Sequence, residues 1–478
     1  MQIKNIQTTN SLNNIIPAPL EILGSGSSFN PSQLRSFHTD ELYSPLKKEF
    51  VAMCAGYQIK LHETAEKSAQ IILKLNSTYS QEEWSANISD MKIVLESSDF
   101  NGMHYALTAL RQMFAIAFIR GPNYAELACG KIQDKPRFGW RSFMLDSARH
   151  FQNVETIKKI ISVLATWRIN RFHWHLTDNS GWRLELDTTS SLIENFDLDR
   201  GVYSKAQVLE VIAHATARGI TVIPEFDIPG HSKCIIKKYP KLACEENLES
   251  KELCVGNHKT RKFIKDILSE IIDLFAESPY IHIGGDEAET ANWDKCPVCQ
   301  AAIKEQNFNN SRELEHDFML EMTRFVVSKG RTPIVWGICS DLTYPTDTII
   351  QCWLDIREPL RVAQNGNKTI YSVHNSLYFD YPAVPSEPHE SWMFELSERG
   401  VYMTDPHIIW PEKVADSILG TEACLWTEVV PEWRVFNKII KRLPAYSECA
   451  WSQNENREWS DFQRRKDNLT SAGFSPIT

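Results

Sequence analysis

Two adjacent carboxylates, Asp286 and Glu287, directly follow two glycines and an apolar, β-prone run in the stretch His282-Ile283-Gly284-Gly285-Asp286-Glu287. Paired carboxylates can exchange protons, accept hydrogen bonds from hydroxyl groups and stabilise a developing cation, which points to carbohydrate chemistry. Along a regular strand neighbouring side chains face opposite ways, so both carboxylates serve one pocket only where the strand ends and the backbone turns. Gly284 and Gly285 permit that turn. The same residues would equally suit a strand end followed by a helix with an acidic first turn. The surrounding elements must therefore decide.

A chain of 478 residues is long enough for two or three domains, including a barrel of roughly 250 residues or more. Hydrophobic residues at 42% and charged residues at 23% place it among ordinary globular proteins. No apolar run approaches the roughly 20 residues that cross a bilayer, so no membrane association is expected. A net charge of −10 gives no electrostatic reason to bind nucleic acid. Neutral small molecules fit better, and a homodimer is compatible with the sequence. The polar start, 1–10, lacks the basic and apolar regions of a signal peptide. The expected location is cytoplasmic as the sequence stands, or periplasmic or secreted if a signal has been removed.

Residues 1–134 are expected to form a small α/β domain, with strands at 70–75 and 91–95. An amphipathic helix follows, with Tyr105, Leu107, Leu110, Met113 and Phe114 on its apolar face. A linker at 135–138 follows. From there to 478, short apolar strands alternate with amphipathic helices, the pattern of a parallel α/β architecture. Strands are expected at 143–145, 171–176, 220–226, 280–283, 333–336, 348–353, 369–373 and 418–426. Asn153 should cap one helix, Ser204 with Gln207 has capping-box spacing, and Thr260 precedes another helix. Eight such strands argue for a (β/α)8 TIM barrel. An open doubly wound sheet is the alternative, but no glycine-rich phosphate fingerprint follows the first strand.

Catalytic groups of such barrels gather at the C-terminal ends of the strands. Polar residues follow nearly every strand here: Asp146 and Arg149; Asp178 and Trp182; Glu225, Asp227 and His231; Asp286 and Glu287; Trp336; Trp353 and Asp355; Tyr378 and Asp380; Trp426 and Glu428. Carboxylates and an arginine suit the polar rim of a sugar, and tryptophans suit its C–H faces. One Trp alone would more simply be core.

Several stretches carry a resemblance. They are Arg141 to Phe151, His173 to Arg183, Pro224-Glu-Phe-Asp-Ile-Pro-Gly-His231, His282 to Glu287, Tyr378-Phe-Asp380 and Leu425-Trp-Thr-Glu428. In this order they resemble the glycoside hydrolase family 20 β-N-acetylhexosaminidases. The N-terminal part is similar to the small α/β domain that precedes the barrel in that family.

The resemblance implies a retaining exo-β-N-acetylhexosaminidase that removes terminal β-linked GlcNAc or GalNAc, without a cofactor or metal. The substrate's own 2-acetamido oxygen would be the nucleophile, giving an oxazolinium intermediate. Glu287 would be the general acid/base, and Asp286 would orient the acetamido group. Tyr378 would donate to its carbonyl, and Asp178 and His231 would form a hydrogen-bonded chain towards Glu287. Trp336, Trp353 and Trp426 would enclose the sugar, while Arg149, Asp380 and Glu428 would bind its hydroxyls. Two positions depart from the family pattern. Asn179 stands where a second Asp is frequent, and Gly337-Ile338 stand where acidic residues are frequent. Both departures concern the leaving-group side.

Eleven scattered cysteines look more like reduced, buried thiols than a complete disulfide framework. Cys244 and Cys254 could close a loop. Cys296-Pro-Val-Cys299 has the spacing of half a zinc site, but the nearest candidates for a second pair are not comparably spaced. A loop with two buried or paired cysteines is the expectation. Two rival functions are a disaccharide-releasing member of the same family and a catalytically silent carbohydrate-binding protein. The silent protein has no need of an intact acid.

Overall fold

The eight expected strands close into a parallel barrel. The computed structural model describes residues 10–190, 201–337 and 343–476. The barrel strands run in chain order as Trp140–Asp146, Arg171–His175, Thr221–Glu225, Tyr280–His282, Thr332–Trp336, Ile349–Cys352, Thr369–Tyr371 and Ile418–Leu425, the last pairing with the first. Most are fully buried runs, as parallel strands covered by helices must be. Several helices between them start at polar caps. Asn153 accepts the N–H of Thr156 at 2.9 Å, and Ser204 and Gln207 form the reciprocal capping box expected from their spacing. The helix expected after Thr260 starts earlier, at His258–Leu274, because Asn257 accepts the N–H of Lys259.

Ahead of the barrel lies a mixed seven-stranded sheet whose last strand is Leu127–Asp134. Ile71–Leu75 and Lys92–Ser97 pair in parallel, close to the expected positions, and helix Phe100–Ala117 covers them. Strands Glu21–Phe29, Ser36–Thr39, His62–Glu63 and Trp84–Ser89 complete the sheet.

The join between sheet and barrel is polar and buried. Arg141 of the first barrel strand grips Glu82 through both guanidinium nitrogens, at 2.8 and 2.9 Å. Burial alone would raise the Glu82 carboxyl, but Arg141 outweighs it and holds it at about 2. Arg168 reaches Asp134 at 2.7 Å, and Trp451, from a C-terminal helix, donates to the same carboxylate at 3.0 Å. The C-terminal helices Leu443–Trp451 and Trp459–Ser471 thus brace both parts: Arg465 of the second pairs with Glu448 of the first at 2.6 Å. Among the described residues no helix is long and apolar enough to cross a membrane.

Candidate active site

The fourth strand ends at His282, and the next residues leave the strand through two positive-φ glycines, Gly284 at 66° and Gly285 at 106°. Space as well as φ demands glycine at the first. A Cβ on Gly284 would lie 1.7 Å from Asp227 Oδ1, so Asp227 sits where any side chain would go. Glu287 also has positive φ, at 53°. The resulting bend sends the two carboxylates into different surroundings. Asp286 is buried at 7% exposure, whereas the Glu287 side chain is 57% exposed.

Their proton affinities diverge accordingly. Burial, reinforced by the nearby Asp227 charge, pushes the Asp286 carboxyl well above its ordinary value. Asp286 Oδ1 is buried without a hydrogen-bond partner among the described residues, an expensive state for a carboxylate unless a ligand donates to it. Glu287 moves the other way, lowered chiefly by His231, whose Nε2 lies 3.5 Å from its Oε2.

The chain of groups leading to Glu287 differs from the expected one. His231 Nδ1 is 2.5 Å from Asp227 Oδ2 and 3.6 Å from Asp178 Oδ2, so Asp227 is its direct partner. Burial disfavours a charged imidazole, but the Asp227 charge and hydrogen bond outweigh it and keep His231 protonated well above its usual range. Asp178 instead pairs with Arg149 Nη2 at 2.8 Å, and that cation lowers its carboxyl against the effect of burial. Asp227 takes the nearer position because it and His231 lie four residues apart on one tight loop, while Arg149 reaches Asp178 from the neighbouring strand end. Asn179, the first departure noted above, accepts the backbone N–H of Lys233 at 3.2 Å. Ile338, part of the second, lies outside the described residues.

Arg149 is positioned from beneath. Asp146 Oδ1 accepts the backbone N–H groups of Ala148 and Arg149 at 2.9 and 3.0 Å, and its Oδ2 accepts that of Thr427 at 3.0 Å. Asp146 therefore ties the first strand end to the eighth. The Arg149 guanidinium lies 4.8 Å from the Trp426 ring centre and 3.7 Å from Glu428 Oε1. Asp380, 2% exposed, has an Oδ1 without a partner among the described residues, and burial with the Glu428 charge raises its carboxyl to about 8.

Tyr378 follows a short helix, His374–Leu377, and returns to the barrel by bridging Cys424 of the eighth strand. Burial holds its hydroxyl well above the usual range, with Asp286 and Asp380 adding to the effect, so it remains a neutral donor. Trp336 ends the fifth strand inside the barrel. It is 1% exposed, donates to Glu225 at 2.7 Å and lies 5.8 Å from the Trp426 ring. Trp353 is half-buried, donates to Gly337 O at 3.1 Å and lines a cleft with Asp286, Glu287, Met319 and Tyr344. Trp182 and Asp355 stand apart: Trp182 is buried and donates to Leu184 O, and Asp355 pairs with exposed Arg357.

Sequence reading missed the layer below. Glu225 is the hub of a buried network: Trp336 and His175 hydrogen-bond to it, and His173 Nε2 lies 3.1 Å away. Burial opposes charge on His173, but Glu422 at 2.7 Å and Glu225 raise it to about 9. His175 links Glu225 to Asp178, its Nε2 lying 3.3 Å from Asp178 Oδ2. His-x-His on a strand was the available signal, since alternate residues point to the same face.

Residues 138–454 match the family model described as the glycosyl hydrolase family 20 catalytic domain. The chain belongs to that family. Its relatives include a beta-hexosaminidase of Akkermansia muciniphila, 32% identical over 395 residues that cover 78% of this chain and 79% of that protein. A beta-hexosaminidase of Vibrio furnissii is 31% identical over 80% of this chain and 67% of its own. Among solved structures, the family 20 exo beta-N-acetylglucosaminidase from Vibrio harveyi, in complex with N-acetylglucosamine, superposes with a TM-score of 0.87 at 28% identity. It covers 98% of this chain and 79% of that one. The Streptomyces plicatus N-acetyl-beta-hexosaminidase gives 0.84 at 25% identity over 97% and 96% of the two chains. This family 20 chain is accordingly a glycoside hydrolase with β-N-acetylhexosaminidase activity.

Proposed function

We propose that the enzyme removes a single terminal β-linked N-acetylhexosamine with retention, using the substrate's acetamido group as nucleophile. The observation that carries this reading is the unpartnered, buried Asp286 oxygen beside a half-exposed Glu287. Proton affinity alone would make Asp286 the acid, since it is the raised carboxyl of the two. Position argues otherwise. An aglycone leaves towards solvent, where Glu287 stands, and a donor such as the acetamido N–H would satisfy Asp286 at the pocket floor.

In the first step the acetamido oxygen bonds to the anomeric carbon as the glycosidic C–O bond breaks, and Glu287 gives its proton to the departing oxygen. Asp286 accepts a hydrogen bond from the acetamido N–H and offsets the positive charge that develops on the ring formed. Tyr378 donates to the acetamido oxygen, which fixes its line of attack. Glu287, now ionised, takes a proton from water, which adds to the anomeric carbon and reopens the ring. Asp227 and His231 keep a positive charge beside Glu287 and favour its ionised form for that second step. Arg149, Asp380 and Glu428 would bind the sugar hydroxyls and close the pocket, which favours release of one sugar over a disaccharide. The Vibrio harveyi relative is an exo enzyme, which supports the same choice.

Glu287→Gln tests the assignment. Hydrolysis of chitobiose, whose leaving group needs a proton, should fall by about 10²-fold or more, with a much smaller loss for a dinitrophenyl glycoside. Equal losses on both substrates would remove Glu287 from the acid role.

A further inference from the structure

Four cysteines meet from the two segments that follow His231 and Glu287 in the chain. Cys244 and Cys254 lie on the loop after the third barrel strand, and Cys296 and Cys299 lie on the loop after the fourth, beyond Glu287. All four are buried, and their sulfurs lie within 4.8 Å of one another. The second pair that sequence spacing hides is therefore present. Cys244 and Cys254 stand ten positions apart, and only the folded loop brings them together.

The distances distinguish a cluster from two bridges. Cys254 Sγ lies 3.8 Å from Cys296 and 3.7 Å from Cys299, and Cys299 lies 3.8 Å from Cys244. Cys254 and Cys299 each touch two partners, so the sulfurs do not sort into pairs. A tetrahedron with metal–sulfur bonds of about 2.3 Å has edges of about 3.8 Å, which these separations match. A disulfide needs about 2.05 Å.

The surroundings are built to hold this geometry. Cys296 immediately precedes helix Pro297–Gln306, whose N-terminal dipole favours a thiolate at Cys299. Gly256 admits the Cys-Pro-Val-Cys turn at close range: a Cβ there would lie 2.7 Å from Cys299 Cα. The loops are further joined by Trp293, which donates to Leu253 O at 2.8 Å, and by Asn292, which donates to Glu252 at 3.1 Å. Four buried thiolates would repel one another strongly, and a divalent soft-accepting ion removes that cost.

We propose that Cys244, Cys254, Cys296 and Cys299 bind one zinc ion as a closed, tetrahedral tetrathiolate site. Its role is structural, since no coordination position is left open for water or substrate. The ion pins the loop that continues from Glu287 to the loop that continues from His231. It thereby fixes the two groups whose separation governs proton transfer.

Elemental analysis of the full chain, purified under reducing conditions without added metal, should give about one zinc per chain, and Cys299→Ser should lose it. Should Cys299→Ser fail to fold, wild-type protein decides alone. Intact mass should show no disulfide, and in the native chain four further thiols should react only after a strong chelator is added. Zinc release should also lower the unfolding temperature. Two disulfides, iron in place of zinc, or four reactive thiols with no metal would each overturn the proposal.

Discussion

Adding one methyl group at Gly284 should damage the enzyme far more than adding the same group at Gly285. Both residues have positive φ, at 66° and 106°, so alanine strains the backbone at either place by roughly 1–2 kcal/mol. The neighbours differ. At Gly284 the new Cβ would stand 1.7 Å from Asp227 Oδ1, 2.5 Å from its Cγ and 2.7 Å from its Cα, so backbone as well as side chain must move. At Gly285 the close contact is Met319 Cε at 2.7 Å, the free end of a flexible chain. Forcing an extra carbon into a rigid site adds about 1–3 kcal/mol, which gives roughly 2–5 kcal/mol in total for Gly284→Ala. Asp227 cannot yield there and still stay 2.5 Å from His231. A shift of about 1 Å in such a dyad is enough to cost about 10²-fold in rate. Urea unfolding and kcat/KM on a nitrophenyl N-acetylglucosaminide measure the two effects on both variants. Equal stability and equal activity of Gly284→Ala and Gly285→Ala would refute the argument that Asp227 fixes this turn.

Asp227→Asn should release His231 from its raised state, so that in an NMR titration its imidazole titrates nearer the ordinary value of about 6.5. An unchanged titration would mean that Asp178, not Asp227, governs the imidazole. Asp380 is held at about 8 when folded, against about 3.9 unfolded, so the folded state binds its proton more tightly. Its contribution to stability is complete below the unfolded value and is lost as pH rises to about 8. Asp380→Asn should therefore gain in melting temperature relative to wild type between pH 5 and pH 8, and a pH-independent difference would contradict this.

The barrel was legible because its strands are buried on both faces and read as apolar runs between capped helices. Most of the strand-end residues were legible for the same reason, since the fold brings them to one end of the barrel, whereas Trp182 and Asp355 stand apart. Glu21–Phe29 was not, because its exposed Gly-Ser-Gly-Ser-Ser segment reads as a loop until Leu127–Asp134 pairs with it. That Asp227 is nearer to His231 than Asp178 was not legible, because both are carboxylates at neighbouring strand ends. Only their distances separate them. Glu225 with His173 and His175 went unread as a network because its members come from different strands. Asp286 and Glu287 had their adjacency and the glycine turn in the sequence, but the contrast in burial between them is a property of the folded loop.

Attack by the acetamido group is the central claim, and its electron demand can be varied directly. A series of nitrophenyl glycosides carrying N-acetyl, N-fluoroacetyl, N-difluoroacetyl and N-trifluoroacetyl groups weakens that oxygen stepwise without changing the leaving group. If the substrate supplies the nucleophile, kcat/KM falls steeply and steadily along the series. A rate indifferent to fluorination would show that an enzyme carboxylate attacks instead, and would contradict the roles given to Asp286 and Glu287.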